Sequence, residues 1–338
     1  MKALQVTAYL PGPSALQVST QPDPVPTADQ YLISIRATAC NFFDLLQIRG
    51  KYQHQPPLPW IAGSEFSGVV ISAPKSTVRP LFPVGTRVFG AAQGGFATKV
   101  CAKEESLRPV PEGWSFKDAA GLFVTAPTSY AALVTRAKVQ RGEWVLVHAG
   151  AGGVGLAAIQ IAKGLGAKVV ASASTEEKLE VCRRFGADAV VDYSRDGWVK
   201  EVNTLTGGQG VDVVYDPVGL VAKSLSCCNW NARVLVVGFA GGRIEEVKLN
   251  RVLLKNVSVV GIHWGLYATR EPETVTTTWE GIFELVRKGQ FKGTVFDGET
   301  FKGLKEVGRA LQWLEGRRTW GKVVVEVDDE DEEKKARL

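Results

Sequence analysis

Cysteine is sparse in this chain, five residues among 338, and the set (Cys40, Cys101, Cys182, Cys227, Cys228) is odd, scattered and without C-x-x-C spacing. That pattern argues against both a disulfide framework and a structural zinc and points to a reducing compartment. Long hydrophobic runs are missing as well; none approaches the ~20 residues that a membrane-spanning helix needs. Met1 to Val6 goes straight into strand-like alternation, so neither a signal nor a transit peptide is expected. The net charge is +5, and no finger, RNP-type aromatic strand or dense basic run accompanies it, which leaves no case for a specific nucleic-acid partner. One charge-dense segment exists. The last eleven residues, Asp328 to Leu338, hold six acids against three bases and read as a disordered tail, leaving a body of net charge +8.

What the chain has in quantity is apolar residues, 45% of the total, enough for a full core in a length that suggests about two domains. The most informative stretch is Val145 to Gly155. A short apolar strand runs into Ala149-Gly150-Ala151-Gly152-Gly153-Val154-Gly155, and an apolar helical stretch (Leu156, Ile159, Ile161, Leu165) follows. Gly150, Gly152 and Gly155 fit the G-x-G-x-x-G spacing. The first glycine allows a tight turn, the second lets backbone approach a pyrophosphate, and the third lets the helix pack on the strand with its N–H groups facing the phosphates. A lone match would be weak. Here strand, turn and helix come in the required order, and a second strand, Lys168 to Ser172, follows them, which indicates a dinucleotide site.

The acid that an NAD site carries about 20 residues further on is also missing. Ser172-Ala173-Ser174 stands there, with Thr175 before Glu176 and Glu177, and Lys178 one turn into the next helix. Hydroxyls and an ammonium suit a 2′-phosphate, which a carboxylate would repel, so NADPH is the expected cofactor. Thr175 also reads as a helix cap, with the two glutamates at the positive helix end and Lys178 solvated. The two readings are compatible. An anionic cofactor would also account for the positive sign of the body.

Apolar, β-branched runs begin near Val145, Lys168, Ala189, Val211, Arg233 and Val257, a step of 21 to 24 residues each time. Helical stretches lie between them, for instance Leu179, Cys182 and Phe185 on one face, closed by Gly186. Continuous apolar strands alternating with helices predict an α/β fold, a doubly wound six-stranded parallel sheet over residues 126–262. The flanks differ. Residues 1–125 are rich in Pro and Gly with short alternating stretches (Tyr31 to Ile35, Gly68 to Ile71), which predicts a mostly β domain. Residues 263–327, with helices expected over Thr276 to Gly289 and Leu304 to Leu314 and a strand over Gly321 to Val327, are expected to return to it.

Over nearly its whole length the chain resembles the zinc-independent NADPH:quinone oxidoreductase (zeta-crystallin-like) branch of the medium-chain dehydrogenases/reductases. The carrying segments are Asn41-Phe42-Phe43-Asp44, Gly50-Lys51-Tyr52, Ile61 to Gly68, Ala126 to Leu133, Ala149 to Gly155, Phe185 to Asp188 and Gly321-Lys322-Val323-Val324. The resemblance implies a GroES-like flanking domain, a homodimer joined through the sixth strands, and a quinone as hydride acceptor. Alcohol dehydrogenases of this superfamily bind a catalytic zinc. Their three ligand positions fall on Asn41, Ser64 and Val124, which cannot build a tetrahedral site, and Cys40 beside the first should point the other way. No metal is therefore expected.

The same resemblance lines the nicotinamide end with Asn41, Tyr52, Thr128, Val237, Phe239, Ile262, His263 and Trp264. It sets Lys178 and Tyr193, with Ser174, beside the 2′-phosphate, and Asp216 to Gly219 beside the ribose. Tyr52, Asn41 and His263 are the candidates for catalysis. Tyr52 is either a proton donor or a pocket wall. His263 either acts on the ligand or is a packing residue, and Trp60 and Trp264 either stack on a flat acceptor or belong to the core. A 2-enoyl or alkenal C=C reductase, with Tyr52 protonating the enolate, is the alternative enzyme. An NADPH-binding protein without turnover is the alternative of another class. The cytosol is the expected location. The final Ala336-Arg337-Leu338, a relaxed form of the Ser-Lys-Leu address, keeps the peroxisome open.

Overall fold

A computed structural model describes residues 1–76 and 78–327. The charged tail and its Ala336-Arg337-Leu338 end lie outside the described residues. The chain forms two compact units, one of residues 1–124 with the chain from Gly293 onward, the other of residues 125–292.

The first unit begins with β1 (Lys2–Val6), β2 (Val18–Thr20) and the long strand β3 (Gln30–Ala39). Buried residues alternate along β3 up to Arg36, the period of a sheet with one face on the core; its last three residues are all buried. Helix α1 (Phe42–Ile48) follows, with the backbone N–H of its cap residue Asn41 donating to the Asp44 carboxylate at 2.7 Å. Next come β4 (Trp60–Ile61), β5 (Glu65–Ser72), β6 (Arg87–Ala91), β7 (Lys99–Lys103) and β8 (Leu107–Pro109). β1, β2 and β4 form a small antiparallel sheet, and β3 pairs antiparallel with both β5 and β7 in a larger one. Helix α2 (Phe116–Ala120) packs on β3 and β5. Helix α3 (Leu122–Tyr130) contains Pro127, which removes one rung of the helical ladder, and it relaxes into a π-helical turn over Ala131–Arg136.

The second unit alternates strand and helix: β9 (Trp144–Val147), α4 (Gly153–Gly164), β10 (Lys168–Ala173), α5 (Glu176–Arg184), β11 (Ala189–Asp192), α6 (Trp198–Leu205), β12 (Val211–Asp216), α7 (Val221–Ser224) and β13 (Cys228–Val236). Then follow α8 (Leu249–Leu254), β14 (Ser258–Gly261), α9 (Tyr267–Arg270) and α10 (Pro272–Arg287). The six strands are parallel, in the order β11-β10-β9-β12-β13-β14. This is the doubly wound arrangement expected from the apolar runs, with its switch of direction beside β9. β13 begins at Cys228, earlier than the run near Arg233 suggested, with its pairing to β12 shifted between Val211 and Val213.

Residues 263–292 were expected with the flanks, but they belong to the sheet unit. The reason is packing. α10 buries Trp279, Ile282 and Leu285, with Leu285 set so close to Gly164 of α4 that a Cβ there would lie 2.6 Å from it. Gln160 of α4 also exchanges two hydrogen bonds with the backbone of Lys292, at 3.2 and 2.9 Å. Beyond Gly293 the chain rejoins the first unit through β15 (Phe301–Lys302), α11 (Val307–Glu315) and β16 (Val324–Glu326). β16 pairs antiparallel with the end of β3, Val324 opposite Ala39, which brings Lys322 to Cys40 and Asn41. All five cysteines are free thiols, and no helix among the described residues is long and apolar enough to cross a membrane.

Candidate active site

In the sheet unit, β9 ends in the glycine turn. Ala149 adopts φ +45°, a left-handed conformation that costs a residue with a Cβ ~1–2 kcal/mol. Gly150 N–H holds the turn to β10 by donating to Ser172 O at 2.8 Å. At Gly155 a Cβ would lie 2.4 Å from Ala149 O, so only glycine lets α4 start this close to the turn. At Gly152 a Cβ would lie 3.2 Å from Ala149 O, a tight contact that glycine avoids. Gly153, Val154 and Gly155 form the first turn of α4, where the orphan N–H groups and positive dipole end of a helix favour a phosphate. Ser129 of α3 bonds Val154 O and the Tyr215 hydroxyl, both at 2.8 Å, which holds its neighbour Thr128 close to this turn.

Ser174 follows β10 and is exposed; Thr175 caps α5, accepting from Lys178 N–H at 3.3 Å. Tyr193 follows β11, its N–H on Ala173 O at 3.2 Å, so Ser174, Lys178 and Tyr193 gather at one end of two adjacent strands. No carboxylate ends β10. Asp192, which pairs with Ala173 at the end of β11, is turned to Ser194 and Arg195. Across the switch point, the buried Asp216 carboxylate accepts from the N–H groups of Val218, Gly219 and Leu220 and so shapes the loop after β12. Val237 and Ile262 follow β13 and β14 side by side, Val237 N–H on Asp216 O and Ile262 N–H on Val236 O. Phe239 is 42% exposed beside Gly219. His263 is exposed, which removes the packing reading, and Trp264 stacks on Tyr267 at 5.4 Å.

One residue the sequence did not single out lies beneath the turn. His148 is fully buried, its Nδ1 2.7 Å from Ser172 Oγ and its Nε2 2.7 Å from Ser224 Oγ, with the ring edge-on to Trp198. Burial pushes its pKa down to about 4, so the ring is neutral at physiological pH.

The first unit holds Asn41 and Tyr52. Asn41 sits in a closed network. Its Oδ1 accepts from Lys322 Nζ at 2.6 Å, and its Nδ2 donates to Glu65 Oε2 at 2.8 Å. Lys322 Nζ also reaches Glu65 Oε2 at 2.8 Å and Cys40 O at 3.1 Å, while Glu65 Oε1 accepts from Val124 N–H at 2.7 Å. Tyr52 is half-buried and stacked on Phe43 at 5.5 Å; burial first, then the neighbouring Asp44, raises its hydroxyl pKa. Asp44 is wholly buried with Oδ1 unpartnered, and desolvation pushes its pKa up to about 7. Trp60 is buried, which makes it a core residue rather than a stacking platform.

Comparison with known proteins agrees with this arrangement. The family described as "Alcohol dehydrogenase GroES-like domain" matches residues 27–112, and "Zinc-binding dehydrogenase" matches residues 153–282. A quinone oxidoreductase-like protein 2 homolog of Nematostella vectensis is 36% identical over 301 residues, 88% of this chain and 81% of that protein. This chain belongs to the quinone oxidoreductase family of medium-chain dehydrogenases and reductases. Members are oxidoreductases, and so is this chain. Escherichia coli quinone oxidoreductase, solved with NADPH, is 28% identical with a TM-score of 0.85, over 96% of this chain and 100% of that one. A mycobacterial protein solved with NADPH is 32% identical with the same TM-score of 0.85, over 96% and 100% of the two chains.

The second family name implies zinc, and the donor set does not fit it. Asn41 offers an amide already engaged at both heavy atoms, Ser64 a hydroxyl, and Val124 a saturated side chain. Among the described residues no group of three or more His, Cys, Asp or Glu side chains could hold a metal ion. Glu65 and Lys322 stand within quoted family motifs, yet their pairing joins positions 257 residues apart and left no local signal. A charged residue at the head of the apolar run Val323 to Val325 was the one hint.

Proposed function

We propose that this chain is a zinc-independent, NADPH-dependent reductase of quinones. The observation that carries the reading is the end of β10, where Ser174 and Lys178 replace the carboxylate of an NAD site next to the glycine turn that opens α4. NADPH, when bound, supplies a hydride to the quinone, and one proton from water completes the hydroquinone. The N–H groups opening α4 hold the pyrophosphate. Lys178, Ser174 and Tyr193 hold the 2′-phosphate through charge-assisted bonds. Thr128, Val237, Phe239, Ile262, His263 and Trp264 border the nicotinamide. A quinone needs only hydrogen-bond polarisation of its carbonyl, so the lack of a Lewis acid is no obstacle.

The C=C reductase reading has one observation in its favour: the Tyr52 hydroxyl is held in its protonated form, as a donor to an enolate carbon must be. Following NADPH oxidation against quinones, enones and enoyl thioesters separates the readings. Turnover with quinones is expected. Turnover confined to enoyl thioesters would overturn it, and none with any acceptor would leave a binding protein. The edge of the sheet supports a homodimer. Among the described residues β14 has no further strand beside it, Val259 on it is 44% exposed, and Leu249, Leu253 and Leu254 of α8 are each more than 70% exposed. Sedimentation should give a dimer, and Val259→Lys should weaken it. The cytosol suits five free thiols and the cofactor.

A further inference from the structure

Resting on the quinone reading, we propose that the buried Lys322–Glu65 ion pair is a positioning device. It fixes the Asn41 amide so that its remaining N–H is offered to the acceptor oxygen, where zinc would act in the alcohol dehydrogenases. The orientation of this amide is dictated by charge. An ammonium can only donate and a carboxylate can only accept, so Oδ1 must face Lys322 and Nδ2 must face Glu65. A flipped amide would set N–H against N–H and oxygen against oxygen.

The ion pair is itself committed. The three protons of Lys322 Nζ are spent on Cys40 O, Asn41 Oδ1 and Glu65 Oε2, and Glu65 Oε1 is taken by Val124 N–H. Asn41 is the outermost of the three, 7% exposed against 4% for Lys322 and 0% for Glu65. Two of the three zinc-ligand positions, Asn41 and Val124, thus converge on one carboxylate. The lysine is built in: a Cβ on Gly121 would lie 2.8 Å from its Cβ and Cγ. Bonds to two charged groups polarise the amide and strengthen its spare N–H as a donor. As hydride reaches the quinone, one carbonyl π bond breaks and its oxygen carries the electron pair until water protonates it. A fixed donor at that oxygen lowers the barrier most when the quinone is a weak oxidant.

The test compares Lys322→Met with Lys322→Met/Glu65→Gln. Breaking the pair in the single variant should lower the melting temperature and reduce kcat roughly 100-fold. The Kd for NADPH, read by fluorescence, should stay within about threefold of wild type, below the effect of one lost hydrogen bond to a charged group. The double variant removes both charges, so its melting temperature should recover while kcat stays low. Its loss should grow from strongly to weakly oxidising quinones. Recovery of kcat together with stability, or an equal loss with every quinone, would make the pair merely structural. If the single variant does not fold, the double variant alone gives the same two outcomes. A wild type inactive with quinones refutes the quinone reading and not the orientation. The Asn41 side-chain amide resonances, from isotope-labelled asparagine and identified by their loss in Asn41→Ala, decide the latter. They should be widely split in wild type and collapse in the double variant; an unchanged pair would overturn the proposal.

Discussion

In the sheet unit a fully buried imidazole lies under the glycine turn, kept neutral between two serine hydroxyls and beside a tryptophan edge. In the first unit the buried polar group is an ion pair, Lys322 with Glu65, and a second buried carboxyl, Asp44, lies in α1. Both networks stiffen a backbone junction: His148 joins the ends of β9 and β10 under the glycine turn, and Lys322 joins β16 to the end of β3. The difference lies in what each tolerates. A neutral network resists gaining a charge, whereas an ionic one resists losing one of its two.

Removing one charge from the first unit should have the largest effect. Lys322→Met leaves Glu65 buried and unpaired, and denaturant unfolding should show a loss of about 3–5 kcal/mol. Adding Glu65→Gln should return most of it. Acid should then divide the two units. The unfolded imidazole of His148 takes a proton near 6.5, the folded one only near 4, so stability is lost as pH falls between those values, in total about 3 kcal/mol. Asp44 works in the opposite sense. Its carboxyl ionises near 3.8 unfolded and about 7 folded, so stability is lost as pH rises through that window, in total about 4 kcal/mol. Unfolding measured from pH 4 to 7 should show His148→Gln gaining on wild type toward acid and Asp44→Asn gaining toward neutrality. Parallel curves for wild type and both variants would remove the contrast.

Smaller effects separate cofactor from acceptor. Lys178→Ala should weaken NADPH binding roughly 10- to 100-fold, the ~1.5–3 kcal/mol of a charge-assisted bond, and barely change NADH binding, which has no group there. Equal losses for both would make Lys178 a structural residue. Tyr52→Phe should leave quinone turnover within a few-fold of wild type, against the ~10²–10⁴-fold loss expected if the hydroxyl were a general acid. That contrast is cleanest in kcat with cofactor saturating.

The sheet unit was the more legible part of the sequence because its inner strands β9, β10 and β12 are buried on both faces and read as continuous apolar runs. Its glycine turn was legible because each glycine answers a local steric need. The start of β13 was not, since Asn229, Trp230 and Asn231 there are partly or largely exposed and lack a strand's apolar pattern. The place of α10 was not either. Its amphipathic face was visible, but that this face covers α4 is a tertiary fact. Asn41 and Tyr52 were found by motif, yet Glu65 and Lys322 meet only when β16 pairs with β3, and sequence spacing carries no trace of that. The position of His148 was plain. Its burial against Ser172, Ser224 and Trp198, which sets its charge state, was not.

The most direct test of the central claim is the ratio of kcat/KM for NADPH to that for NADH, measured with one well-reduced quinone on wild type and on Lys178→Ala. The account predicts a preference for NADPH of at least about tenfold in wild type, corresponding to one charge-assisted bond, which falls close to unity in the variant. Equal use of both cofactors by wild type, or a preference that survives the substitution, would contradict it.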